Sequence, residues 1–91
     1  MKFEVLVLPD LFKNISPDRE EQIKKALKDL KAPYPRSGRG DKKEIKGAED
    51  TAYRFRIGEY RAFYRIEKEE GKVYVFDILT AEQAHKKYGK L

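Results

Sequence analysis

The chain has no cysteine and no tryptophan, and its methionine and histidine occur once each. Without cysteine there are no disulfides, no zinc–thiolate sites and no thiol nucleophiles. The lone histidine, His85, cannot build a histidine-rich metal site, so neither a metal nor another cofactor is expected. Long apolar runs are missing too. The opening MKFEVLVLPD holds only a short apolar stretch, broken by Glu4 and ended by Pro9, so neither a bilayer span nor a signal peptide is expected. Together with the missing cysteine, this points to the cytoplasm. The GxxxxGK[ST] spacing of a phosphate loop is absent from PYPRSGRGDKKEIKG, and no internal repeat or low-complexity segment occurs.

What is present is charge and periodicity. The 91 residues are 41% charged and 40% hydrophobic, which suits one folded, heavily solvated domain spanning 1–91. A formal net charge of +5 speaks to partners: a nucleic acid, an anionic membrane or an acidic protein segment. A membrane-binding helix would place its basic residues along one helix face, whereas the arginines here concentrate on strands. Nucleic acid and acidic protein remain.

Along the chain, Phe3, Val5 and Val7 alternate with Glu4, Leu6 and Leu8, a strand over 2–8 that Pro9 ends. Asp10 can cap a short helix to about residue 14. Ser16 as N-cap, Pro17 at the first helical position, and Asp18, Glu20 and Glu21 in the first turn announce a stronger helix. Ile23, Ala26, Leu27 and Leu30 give it a core-facing stripe, and it should stop near Lys31, before Pro33. Residues 32–41 read as a loop serving as a basic clamp or a solvated linker, 42–47 as a brief strand or an extended lead-in, and 49–51 as a polar tip. After a charged turn over 67–71, residues 73–79 form a last strand whose Tyr74, Phe76 and Ile78 are expected in the core, because the other parity would bury Asp77. Residues 81–88 read as a helix with Gly89 as its C-cap. The fold expected is α+β, a small single domain: an N-terminal strand, two helices, an antiparallel meander and a short C-terminal helix.

The most specific stretch is YRFRIGEYRAFYRI, residues 53–66. Two alternating segments joined by Gly58-Glu59 suit a hairpin with a type II′ turn. Such a turn sets Ile57 opposite Tyr60, Phe55 opposite Ala62 and Tyr53 opposite Tyr64 on one face. The other face then carries Arg54, Arg56, Arg61, Phe63 and Arg65. Arg56 would face Arg61, a like-charge pair that is destabilising unless the surface holds an anion. Guanidinium groups bind phosphate bidentately, and Phe63 among them suits base stacking, so an unpaired nucleic acid strand is the expected ligand. The plainer alternative is a solvated basic strand neutralised by Asp77 and nearby glutamates. With helices packed on one face of the sheet, the arginine face is expected to stay open.

The end of the chain adds His85, Lys86, Lys87, Tyr88 and Lys90. These residues suit an ordinary solvated helix end, where the dipole favours cations. They also suit RNA cleavage by ribose 2′-OH attack, which needs a base, an acid and positive charge at the phosphorane, all available from His, Tyr and Arg without metal. An imidazole can take either proton-transfer role near neutral pH.

The order of elements, with Glu44-Ile45-Lys46-Gly47 as a KxKG-like segment ahead of Arg56-Ile57-Gly58-Glu59-Tyr60-Arg61-Ala62-Phe63-Tyr64, resembles the RelE/ParE superfamily of type II toxins over nearly the whole chain. The resemblance implies a compact cytoplasmic toxin neutralised by a cognate antitoxin, forming a hetero-oligomer with it and having no membrane partner. RelE-like members cut mRNA on the ribosome without metal, whereas ParE-like members poison gyrase. An inactive antitoxin-binding homologue is the remaining alternative. Carried onto this sequence, Arg61 is the hairpin arginine expected at the scissile phosphate. Arg54 and Arg56 orient the mRNA backbone and assist proton transfer, and Tyr88 is the terminal aromatic near the cleaved nucleotide. Lys43, Lys46, Phe63, Arg65, Lys86 and Lys87 complete the expected RNA-contacting set. Where such toxins carry an arginine ahead of that tyrosine, this chain has Glu82 and Gln83. His85 stands in for part of that role, and Glu44 is the matching carboxylate.

Overall fold

The computed structural model describes residues 3–35, 42–46 and 51–89. The strand β1 (Glu4–Val7) leads into a 3-10 turn (Pro9–Phe12) and the helix α1 (Pro17–Leu27), whose last turn tightens to 3-10 over Lys28–Lys31. Strands β2 (Lys42–Lys46), β3 (Thr51–Ile57), β4 (Tyr60–Glu67) and β5 (Lys72–Thr80) form an antiparallel meander, and α2 (Ala81–Tyr88) closes the chain. The sheet order is β1-β5-β4-β3-β2, with β1 parallel to β5. This is the expected α+β architecture.

The apolar stripe of α1 seats it on one face of the sheet. Ile23, Leu27 and Leu30 are buried against Phe55, Ile57, Ala62 and Tyr64. The stripe continues through the 3-10 turn because Leu30 follows Leu27 at i+3, a spacing that either helix type satisfies. Ser16 has extended N-cap geometry and its carbonyl accepts from Glu20, but its hydroxyl makes no cap bond. The earlier turn begins at Pro9 with Leu8 as N-cap, so Asp10 lies inside its first turn and is not the cap. Tyr64 is fully buried, and its hydroxyl donates to the Pro33 carbonyl, satisfying a polar group that would otherwise cost the core. Lys42 is also buried: its ammonium donates to Asp29 Oδ2 at 2.8 Å and lies over the Phe55 ring, tying the edge strand β2 to the turn after α1.

The hairpin register is the expected one: Tyr53 faces Tyr64, Phe55 faces Ala62, and Ile57 faces Tyr60. Gly58 alone of the two turn residues has a positive φ, +56°, the requirement of a type II′ turn at its first central position.

The last strand departs from expectation. Val73 and Val75 enter the core with Ile78, whereas Tyr74 is half-buried and Phe76 is 38% exposed. A β-bulge is the cause: Phe63 pairs with Asp77, but Tyr64 pairs with Val75, so one extra residue switches the facing parity of β5 between Val75 and Asp77. Strict alternation placed Tyr74 and Phe76 inside. The bulge puts both outside and still leaves Asp77 on the arginine face.

Candidate functional site

The second face of the sheet is only partly open. The Thr80 hydroxyl accepts from the Gln83 amide while the Gln83 side chain accepts from the Thr80 amide, a capping box that starts α2 directly at the end of β5. The helix therefore folds back over the arginine side. Its own Ala84 is buried, Phe63 of β4 is buried beneath it, and the Tyr88 ring packs on Phe63 with centroids 4.6 Å apart. Phe63 is 1% exposed, so it anchors α2 and offers no ring face to a base. The expectation of a fully open face fails here because alternation along a strand says which residues share a face, not what later covers them.

Between α2 and the hairpin lies a cleft of about 140 Å³ lined by Arg54, Arg61, Ala81, Ala84, His85 and Gly89. The hairpin supplies Arg54 and Arg61, and α2 supplies the imidazole. The Arg61 Nη1 donates to the carbonyls of Gly58 and Tyr60, both at 2.9 Å, which holds the guanidinium over the turn. Burial lowers the pKa of Arg61 from the ordinary arginine value, and the nearby Arg54 and Arg56 lower it further. The side chain stays cationic at any physiological pH, and a bound anion would offset both its lost hydration and the like charges beside it. Arg54 Nε is buried with no hydrogen-bond partner among the described residues. A phosphate oxygen is the kind of acceptor this donor lacks.

Arg56 faces Arg61 across the ladder and is exposed. Lys43 pairs with Arg54 at the same parity and is exposed beside it, and Arg65 stands exposed further along β4. Lys46 pairs with Thr51 at the opposite parity, so it does not share the register of the arginines. Glu44 pairs with Tyr53 on the α1 face, where burial raises the Tyr53 pKa and the Glu44 charge raises it further. That position removes it as a carboxylate for the arginine cleft.

Tyr88 is held elsewhere. Its hydroxyl donates to Asp77 Oδ2 at 2.7 Å, and Lys87 Nζ donates to the same oxygen at 2.6 Å. Burial raises the Tyr88 pKa, and the bond to Asp77 raises it further, so the phenol keeps its proton at neutral pH. The pKa of Lys87 is raised chiefly by its bond to Asp77. The carboxylate expected to neutralise the arginines instead ties down the end of α2. Lys86 is exposed and pairs with Glu82 at 3.4 Å, away from the cleft lining. Of the five residues expected to act in catalysis, Arg54, Arg61 and His85 thus share one cleft, Arg56 borders Arg61, and Tyr88 is tied to Asp77. The structure adds Gly89 to the lining and gives Asp77 its anchoring role. The only sequence signal for the latter was a carboxylate on the basic face.

A family model described as the ParE toxin of type II toxin–antitoxin system, parDE, matches residues 8–85. No curated protein sequence matches significantly. Among solved structures, the chain is similar to one in the RelE–RelB complex of Pyrococcus horikoshii OT3, with 20% identity, TM-score 0.67, and coverage of 88% of this chain and 96% of that one. It is also similar to one in the toxin–antitoxin complex RelBE2 of Mycobacterium tuberculosis, with 19% identity, TM-score 0.69, and coverage of 88% and 99%. A third likeness is to the RelB–RelE antitoxin–toxin complex of Methanococcus jannaschii, with 18% identity, TM-score 0.61, and coverage of 89% and 95%.

Proposed function

Starting from the fact that the chain belongs to the ParE toxin family of type II toxin–antitoxin systems, we propose that it is a cytoplasmic toxin that cuts mRNA on the ribosome without a metal. One observation carries this reading: Arg54, Arg61 and His85 line a single cleft. The two guanidinium groups supply charge where a phosphorane forms, and the imidazole supplies a proton-transfer group beside them. In such a step the ribose 2′-OH attacks the adjacent phosphorus, its proton passes to a base, and the 5′-oxygen leaves with a proton. His85 serves one of the two transfers, and water or a ribosomal group serves the other, since the Tyr88 proton is committed to Asp77. The partners of this reading are the ribosome, its message and an antitoxin that neutralises the toxin.

A second reading has its own support. The matching family model is that of ParE toxins, and among the described residues α2 lends no lysine or arginine to the cleft lining, with Glu82 and Gln83 on its first turn. A non-nucleolytic gyrase poison would use the arginine surface for protein docking. Induction of the chain in cells, with growth, mRNA 5′ ends and plasmid supercoiling followed together, separates the two. Growth arrest with new message ends and normal supercoiling fits the nuclease. Arrest with intact messages and broken or relaxed DNA fits the gyrase poison and ends the nuclease reading.

A further inference from the structure

The last four residues of β5 hold both ends of α2. At its start, Thr80 closes the capping box with Gln83, and the Ala81 amide donates to the Glu59 carbonyl of the hairpin turn at 2.9 Å. At its end, the buried Asp77 accepts from Lys87 Nζ and from the Tyr88 hydroxyl on the same carboxylate oxygen. Hydrogen bonds to an ionised acceptor are the stronger kind. Eight residues are too few for a stable isolated helix, so the seat of α2 is set by such contacts. Its apolar hold on the sheet is small, with Ala84 buried and the Tyr88 ring resting on Phe63. His85 stands between the two anchors, three residues before Tyr88 and next to it on the helix surface. Its imidazole makes no hydrogen bond or ion pair among the described residues, so its place beside Arg54 and Arg61 is the place that α2 gives it.

We infer that Asp77 is a positioning residue for the cleft: by holding Lys87 and Tyr88 it keeps the His85 imidazole beside Arg54 and Arg61. The inference rests on the reading of that cleft as the phosphate-cleaving site, and it names the group that sets the geometry there. Asp77 is not part of the cleft lining, so it acts through α2 and not on a bound phosphate. Displacing a proton-transfer group by about 1 Å costs on the order of a hundredfold in rate, so a tether at the end of a short helix controls the reaction without touching it. A carboxylate that only offset the positive charge of this face would behave differently. Its removal would strengthen phosphate binding and leave the imidazole where it is.

The test uses the full chain, whose single histidine makes its imidazole NMR signals unambiguous. Titration of the native chain with inorganic phosphate should move those signals together with the Nε–H signals of Arg54 and Arg61. In Asp77→Ala the arginine signals should still move, while the imidazole loses most of its response. The double variant Lys87→Met with Tyr88→Phe removes the same bonds from the helix side, leaves β5 untouched and should give the same loss. Thermal unfolding checks that each variant keeps its fold. Imidazole signals that respond in both variants as in the native chain, or more strongly, overturn the inference. Loss of all three responses together also overturns it, since that is a structural role alone. In the native chain, phosphate that moves the arginine signals but not the imidazole overturns it too, and phosphate that moves none of them overturns the cleft reading itself. Single-turnover message cleavage gives a second readout. Asp77→Ala should cost about tenfold or more on the native background and little on His85→Ala, where the positioned group is already gone. Equal losses on both backgrounds overturn the inference. A native chain that leaves messages uncut ends the nuclease reading alone, and the phosphate titration still decides the role of Asp77.

Discussion

At the scale of single residues, aromatic and acidic groups on the basic face have exchanged the roles that their positions suggest. Phe63 sits among arginines, where a base-stacking ring would be expected, yet it is fully buried under Tyr88. Truncating it should therefore act on stability. Phe63→Ala is expected to cost about 3 kcal/mol in urea unfolding, the range for a buried phenylalanine. A stacking ring would instead have left stability unchanged. Asp77 accepts from both Lys87 and Tyr88, and the bond helps hold the Tyr88 pKa above the ordinary tyrosine value. The sign follows from that direction. A raised phenol pKa favours the docked helix while Tyr88 is protonated, so the contribution is present below the unfolded tyrosine value and is lost as pH rises through the folded one. In an alkaline titration followed by phenolate absorbance, Tyr88 should ionise later than a free tyrosine. Asp77→Asn should bring that ionisation earlier, with burial alone keeping part of the shift. An unmoved transition in Asp77→Asn would show that the bond contributes nothing to the docking of α2.

At the scale of elements, the hairpin and the last strand show what a sequence makes legible. Strict alternation and a glycine at the first turn position fix the β3–β4 register, and every pair read from the sequence is observed. Gly58→Ala keeps ordinary space around the new methyl group, whose nearest neighbour is Gln22 Nε2 at 3.9 Å, but it forces an alanine to φ +56°. A loss of about 1 kcal/mol in unfolding free energy is expected from the backbone alone. The bulge in β5 was not legible, because strict alternation that spares Asp77 puts Tyr74 and Phe76 inside, and only the pairing with β4 shifts the parity at Phe76 so that Val73 and Val75 are buried instead. The placement of α2 was not legible for a related reason. Its existence follows from Thr80 and Gln83 at one end and Gly89 at the other, whereas its seat depends on contacts of Tyr88 with Asp77 on β5 and Phe63 on β4, 11 and 25 residues away in the chain. The arginine cluster was therefore readable as a surface, and the cleft with His85 became visible only with α2 in place.

At the scale of the whole molecule, the positive charge is divided between two separate regions of the surface. The cleft gathers Arg54 and Arg61 with Arg56 and Lys43 nearby, while Lys24, Lys28 and Lys31 lie beside β1 at the other end of the sheet. Binding of single-stranded RNA to the cleft should weaken with salt by about 0.7 logarithmic units per phosphate contact and per logarithmic unit of salt. Arg61→Ala should remove about one contact from that slope, whereas Lys28→Glu should leave the slope nearly unchanged. Equal effects of the two variants would mean that the molecule attracts RNA by net charge alone.

Arg54, Arg61 and His85 are proposed to form a phosphate-cleaving cleft. Its most direct test is the single-turnover rate of message cleavage on programmed ribosomes by the native chain and by Arg61→Ala. Native cleavage with a loss of about a hundredfold or more in the variant, at unchanged folded stability, is the predicted result. A native chain that leaves the message intact, or an Arg61→Ala variant that cuts at the native rate, would contradict it.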